Sequence, residues 1–247
     1  MKEKIKLFIK NCLAYLFVYW PIRRNRAMVL MYHSISNNND KFFKVRPVEF
    51  EKQMAYLHEF NFNVVSLATL EQYLEQGIIP PKTVILTFDD GYEDNFYSAW
   101  PILRKYNFPA AIFLTTGLTA GADKITPLNL AQMKKMAASG LVDFEPHTVN
   151  HPKLTKIDLA EAEKEIALSR DFINRQFKKK SVFFAYPYGS YNDQIIGLLK
   201  KLDFRLGFTI EKGVIKTTDN RLLHKRNSVD SAVTMIQFKA LVKRGKI

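Results

Sequence analysis

Cysteine is nearly missing from this chain: Cys12 is the only one in 247 residues. An internal disulfide is therefore excluded, and so is any metal site built on paired thiolates, while a lone thiol fits the cytosol without excluding export. Nucleotide-binding loops are missing too. No G-x-G-x-x-G or G-x-x-x-x-G-K-[ST] pattern follows any apolar run, which leaves dinucleotide or phosphate cradling without support. Repeats, low-complexity tracts and linkers do not interrupt the sequence. Acidic residues are scarce, 24 against 37 lysines and arginines, for a formal net charge of +13. Such a surplus favours anionic partners such as phospholipid head groups, phosphorylated glycans or glycolipids, or nucleic acid; a basic host proteome or plain solubility accounts for it equally well. The cations are scattered along predicted helices and not interleaved with aromatics, so nucleic-acid binding is not expected.

What remains is an ordinary globular composition, 47% hydrophobic and 25% charged, enough for one substantial core. The N-terminus stands apart. Residues 2–26, KEKIKLFIKNCLAYLFVYWPIRRNR, place an apolar stretch from Cys12 to Trp20 between basic ends. The stretch is short for a membrane-spanning helix of ~20 residues, and it lacks a small-residue cleavage site. Tyr15, Tyr19 and Trp20 beside Arg23, Arg24 and Arg26 suit a membrane interface. Residues 1–26 are accordingly expected to form an apolar helix that anchors at an anionic membrane surface. A helix packed on the domain is the next reading, and a cleaved signal the third. Residues 27–247 are expected to form one domain.

Along that domain short apolar runs alternate with helical periodicity. AMVLMYHSI, FNVVSL, TVILTF, PAAIFLTT, LVDFE, SVFFAY, RLGFTI and LLHKRNSV read as strands. Between them, Phe50, Met54 and Leu57 mark one helix face; TLEQYLEQG follows with Thr69 as cap and Gly77 as stop. NFYSAWPILRKY reads as a helix bent at Pro101, and Leu159, Ala162, Ile166, Ile173 and Phe177 line a long helix capped by Asp158. LNLAQMKKMAASG, NDQIIGLLKKL and IQFKALVKR supply the remaining helices. Strands alternating with helical crossovers imply parallel pairing, here a distorted or incomplete (β/α) barrel, with an open doubly wound sheet as runner-up.

In such barrels chemistry sits where strands end, and the unusual polar residues fall there: Tyr32-His33-Ser34, Asp89-Asp90, His147 with His151, and Tyr186-Pro187-Tyr188-Gly189. VILTFDDG closes an apolar strand with adjacent carboxylates, whose repulsion calls for a cation. Two histidines four apart in HTVNHP can converge on one ion, and a carboxylate from the Asp pair would complete a three-ligand set with an open position. The other Asp is then free to serve as a base. His58, inside a helix, reads as structural or solvated.

TFDDG (87–91), HTVNHP (147–152) and AYPYG (185–189), with MYHSI (31–35) ahead of them, together resemble the ordered signature motifs of the polysaccharide deacetylases. These are metal-dependent carbohydrate esterases related to the chitooligosaccharide deacetylases of nodulation, and the set looks most like the poly-N-acetylglucosamine deacetylase branch. The resemblance spans roughly residues 27–230. It implies that Asp90, His147 and His151 bind a divalent metal, zinc first and cobalt or nickel next, and that Asp89 is the general base. It further implies hydrolysis of an N-acetyl group on a hexosamine in a cell-surface polysaccharide or lipid-linked glycan. The Tyr188 backbone N–H is the candidate oxyanion donor, because Pro187 has none. His33 is preferred over His224 as the acid that protonates the leaving amine. The family's third motif often begins with an arginine that supports the base; here Phe183, Phe184 and Ala185 stand in that region. Arg226, matching the branch's late Leu-Pro-Arg, is expected to supply that charge. An Asp-x-x-Asp-Trp motif of the wider family is not seen, which bears on substrate contacts. Deformylation or another amide hydrolysis, and a non-catalytic glycan-binding barrel, are the alternative functions. Membrane association is expected, with the cytoplasmic face favoured over the cell surface or secretion.

Overall fold

The structure, a computed structural model, describes residues 25–37, 43–117 and 126–245. The expected N-terminal helix and anchor, with Cys12, Tyr15, Tyr19, Trp20, Arg23 and Arg24, lie outside the described residues. Among those described, no helix is long and apolar enough to cross a membrane.

The central sheet runs β10 (Asn227–Ser228), β1 (Ala27–Tyr32), β5 (Thr83–Asp90), β6 (Ala110–Leu114), β7 (Val142–Pro146), all parallel. Short β4 (Asn63–Val64) takes the edge of β5 ahead of β6. β2 (Ser34–Ile35) and β3 (Lys44–Val45) form a separate pair, as do β8 (Phe183–Ala185) and β9 (Leu206–Phe208). A parallel bridge between Phe208 and His224 joins β9 to the segment that becomes β10, which closes the circuit. Among the described residues no backbone ladder joins β7 to β8. Side chains span that seam instead: the Phe183 N–H donates to Glu145 Oε2 at 3.3 Å, and His147 Nδ1 meets the Ala185 carbonyl at 2.7 Å. The sheet is thus a distorted (β/α) barrel, not the open doubly wound sheet.

Period-2 alternation sorts the strands into two apolar layers. Val84, Leu86 and Phe88 of β5 pack outward with Leu30, Ile112 and Phe144 against the helices. Val29, Ile85, Ala111, Phe113, Ala185 and Phe208 face the barrel interior. Asp89 shares the parity of Ile85 and Thr87, so its carboxylate enters the interior, 3% exposed.

The helices are α1 (Pro47–Glu59), α2 (Leu67–Glu75), α3 (Trp100–Tyr106), α4 (Leu130–Ala138), α5 (Leu159–Phe177), α6 (Asp193–Lys201) and α7 (Met235–Arg244). Phe50, Met54 and Leu57 are all fully buried on α1, as their spacing predicts. One local expectation is corrected, and a second holds only in part. The cap of α2 is Ser66, whose hydroxyl accepts from the Thr69 N–H at 3.1 Å; Thr69 lies inside the helix. Asp158 is the N-cap residue of α5, as expected, but makes no side-chain capping bond, and Leu159 is 43% exposed. Residues 95–106 wind without a break, as expected: a π-turn over Asn95–Ala99 runs directly into α3 at Trp100, whose N–H reaches the Asn95 carbonyl. Pro101 has no N–H to continue the α-helical ladder, and the π-turn lies just ahead of it. His58 is exposed and rests near the rings of Tyr106 and Phe108 at 5.6 and 6.4 Å.

Candidate active site

Two residues at the C-terminal end of β5 diverge because the backbone turns between them. Asp89 continues the strand inward, whereas Asp90 has φ 72° and Gly91 φ 82°. Gly91 has no room for a side chain: an added Cβ would strike Leu114. The left-handed step swings Asp90 to the mouth while Asp89 stays buried.

At the end of β7, His147 extends the sheet, its N–H donating to the Leu114 carbonyl at 2.9 Å. Thr148 and His151 then adopt φ of 67° and 56°, which folds the loop back on itself. Ligand atoms of Asp90, His147 and His151 come within 4.8 Å of one another. His151 Nε2 lies 3.1 Å from His147 Nε2 and 3.5 Å from Asp90 Oδ1.

The donor chemistry fits a divalent cation of borderline softness, which takes two imidazole nitrogens and one carboxylate oxygen and keeps a position open. Burial pushes His147 down to about 4, outweighing the pull of Asp89, so its ring is neutral. With Nδ1–H donating to the Ala185 carbonyl, Nε2 keeps its lone pair toward the cluster, the usual arrangement of a metal-ligating histidine.

Asp89 Oδ2 lies 4.0 Å from His147 Nε2, beside the cluster and not in it. Arg226 grips it from the barrel interior: Nη1 donates to Oδ1 at 2.7 Å and Nη2 to Oδ2 at 2.8 Å. Arg226 is itself fully buried, anchored by Nε–H to the Thr209 carbonyl at 3.0 Å and lying 5.4 Å over the Phe113 ring. Burial alone would raise the Asp89 pKa; the guanidinium beside it, with smaller help from His147 and His33, wins and holds it at about 2. The carboxylate stays ionised throughout the working range.

Tyr188 stands at the mouth with φ 56° in the turn after β8; its ring is 4.5 Å from that of His151, with Lys153 Nζ 5.3 Å above it. His33 follows β1. Its carbonyl accepts from Asn95 Nδ2 at 2.9 Å, and its ring lies 5.7 Å from that of Phe43. His224 goes elsewhere: fully buried against Phe208, it has neither ring nitrogen hydrogen-bonded, and burial pushes it down to about 4.

Sequence reasoning missed two supports. Glu165 of α5 binds the 147–151 loop, and an Asp94–Ser34–Ile35 network, with the Ser34 hydroxyl donating to Asp94 Oδ2, fixes the turn that carries His33. Glu165 offered no signal among the charges of AEAEKEIALSR. Asp94, four residues past Asp90, could have been noticed for its place in the same loop.

Comparison with known proteins agrees with the geometry. The polysaccharide deacetylase family model matches residues 77–207, just over half of the chain. YxkH of Bacillus subtilis, assigned to the same family, is 31% identical over 88% of this chain and 76% of its own length. A poly-β-1,6-N-acetyl-D-glucosamine N-deacetylase of Staphylococcus aureus is 29% identical over 80% of this chain and 77% of its own. Among solved structures, the Streptococcus pyogenes deacetylase PplD in complex with acetate superposes with a TM-score of 0.80 at 28% identity, covering 92% of this chain and all of that one. The chain belongs to the polysaccharide deacetylase family and is a carbohydrate N-deacetylase, a hydrolase of linear amides.

Proposed function

We propose that the protein removes N-acetyl groups from N-acetylhexosamine residues of a cell-surface polysaccharide or its lipid-linked precursor, with a divalent cation, zinc first, held by Asp90, His147 and His151. One observation carries this reading. Three ligand atoms drawn from two loops converge within 4.8 Å, with an ionised, arginine-locked carboxylate next to them. A cation there supplies Lewis-acid polarisation of the acetyl carbonyl and lowers the pKa of a water. Asp89 is the proton acceptor for the attacking water; Arg226 trades some of its basicity for a fixed orientation and a permanent charge. The Tyr188 N–H, presented by its left-handed turn, donates to the oxyanion as the carbonyl carbon becomes tetrahedral, a contribution of about 10²–10³ in rate. His33 delivers the proton that lets the C–N bond break, releasing acetate and a free amine; imidazole is the side chain that ordinarily titrates near neutrality. The buried, neutral and unpartnered state of His224 supports the choice of His33.

The S. aureus relative's polymer makes β-1,6-linked N-acetylglucosamine the first substrate to try. Acetate release from N-acetylglucosamine oligomers and lipid-linked sugars is expected to vanish with a chelator, to return on adding Zn²⁺, Co²⁺ or Ni²⁺, and to vanish in Asp89→Asn. Glycan binding that survives Asp89→Asn with no acetate from the unsubstituted chain would instead favour a binding protein.

Residues 27–247 are proposed as the catalytic domain and residues 1–26 as an anchor at an anionic membrane surface. Deleting residues 1–24 should move the protein from the membrane pellet to the supernatant; if both chains fractionate alike, the anchor is wrong.

A further inference from the structure

The loop that carries both imidazoles has a costly shape. Thr148 and His151 occupy the left-handed region at φ 67° and 56°, and such residues each cost on the order of 1–3 kcal/mol unless their surroundings enforce them. Two neighbours do so. From the β6 side, the N–H groups of Thr116 and Gly117 donate to the carbonyls of Thr148 and Val149 at 3.1 and 2.9 Å. From the α5 side, Glu165 takes the loop's donors. Its Oε2 accepts the consecutive amides of Val149 and Asn150 at 2.9 and 2.8 Å, and its Oε1 accepts Asn150 Nδ2 at 2.6 Å.

Glu165 is 5% exposed, on the same buried face of α5 as Ala162 and Ile166. Among the described residues no lysine or arginine pairs with it, so neutral N–H groups alone meet its charge. Burying a carboxylate this way costs more than an apolar side chain of similar size. A residue that only filled the helix–loop interface would be apolar, as Ala162 and Ile166 are. What the carboxylate adds is a fork that holds two successive amides at once. The strained turn between His147 and His151 is thereby kept closed, with their Nε2 atoms 3.1 Å apart.

We infer that Glu165 is a positioning residue for the cation site: it pre-forms the pair of imidazoles from behind, without touching cation or substrate. The inference rests on the metal reading of the previous subsection. Outer contacts of this kind typically change metal affinity 10–100-fold.

The test is calorimetric titration of Zn²⁺ and Co²⁺ into the metal-stripped full chain, with Co²⁺ absorption bands reporting coordination geometry. Glu165→Gln keeps the volume but removes the charge and one acceptor. It should bind both ions about 10–100-fold more weakly, with an altered Co²⁺ spectrum, at a temperature well below its own melting point. Asn150→Ala removes only the Oε1 contact and should show a smaller loss. If the unsubstituted chain binds and both variants match it in Kd and spectrum, the inference is overturned, even when Tm falls. Should Glu165→Gln fail to fold, an unchanged Kd in Asn150→Ala overturns it. If the unsubstituted chain binds neither ion, the metal reading itself fails and this inference goes with it.

Discussion

Replacing Arg226 by Met tests the interior of the site most directly. The substitution keeps a long apolar stem against Phe113 but removes both charge-assisted bonds to Asp89, at 2.7 and 2.8 Å. It leaves a carboxylate that is 3% exposed without its guanidinium partner. Breaking a buried pair by removing one partner costs about 3–5 kcal/mol. For a domain of this size each kcal/mol moves Tm by about 2–4 °C, so a fall of about 6–20 °C is expected. The single mutant cannot separate lost attraction from lost packing; a double-mutant cycle with Asp89→Asn can. The asparagine amide carries no charge to strand, so the double mutant should be less destabilised than the sum of the singles, by about 1–3 kcal/mol. Thermal or urea unfolding of the four proteins measures this. Additivity within about 0.5 kcal/mol would refute the electrostatic account of the pair.

His224 predicts acid sensitivity. Its folded pKa is depressed to about 4 against ~6.5 when unfolded, so its neutral form is no liability above pH 6.5. As pH falls below that, the unfolded chain gains a proton the folded one refuses, and about 2 kcal/mol is lost by pH 5. His224→Phe should therefore narrow the gap in stability between pH 7.5 and pH 5, measured by unfolding at both; an unchanged gap sinks the assignment. Gly207→Ala should cost more than about 1 kcal/mol, because its Cβ would meet the backbone carbonyl of Leu222, which cannot swing aside. The displaced segment leads to Arg226, so acetate release should fall with stability; normal Tm and rate would show that the segment yields freely.

Much of the fold was legible because strand and helix periods are local. The outward Val84, Leu86 and Phe88 and the buried Phe50, Met54 and Leu57 follow from spacing alone. So did the places where polar residues leave the sheet. The errors were local as well: Ser66 and Thr69 are both competent caps, and only the backbone's entry angle selects between them. Pro101 signalled an irregular helix, but a π-turn just ahead of it spells the same as a bend.

The sequence by itself determined the chemistry on offer, a carboxylate pair and two imidazoles at strand ends, because residue type and alternation need no partner to be read. Only the tertiary structure decided how they are held. Arg226 meets Asp89 across 137 residues, and Glu165 reaches the histidine loop from a helix whose many charges look alike in sequence. Both contacts exist because closing the barrel brings a late strand and an outer helix against the same mouth, and the choice of which buried charge faces which is made by that closure.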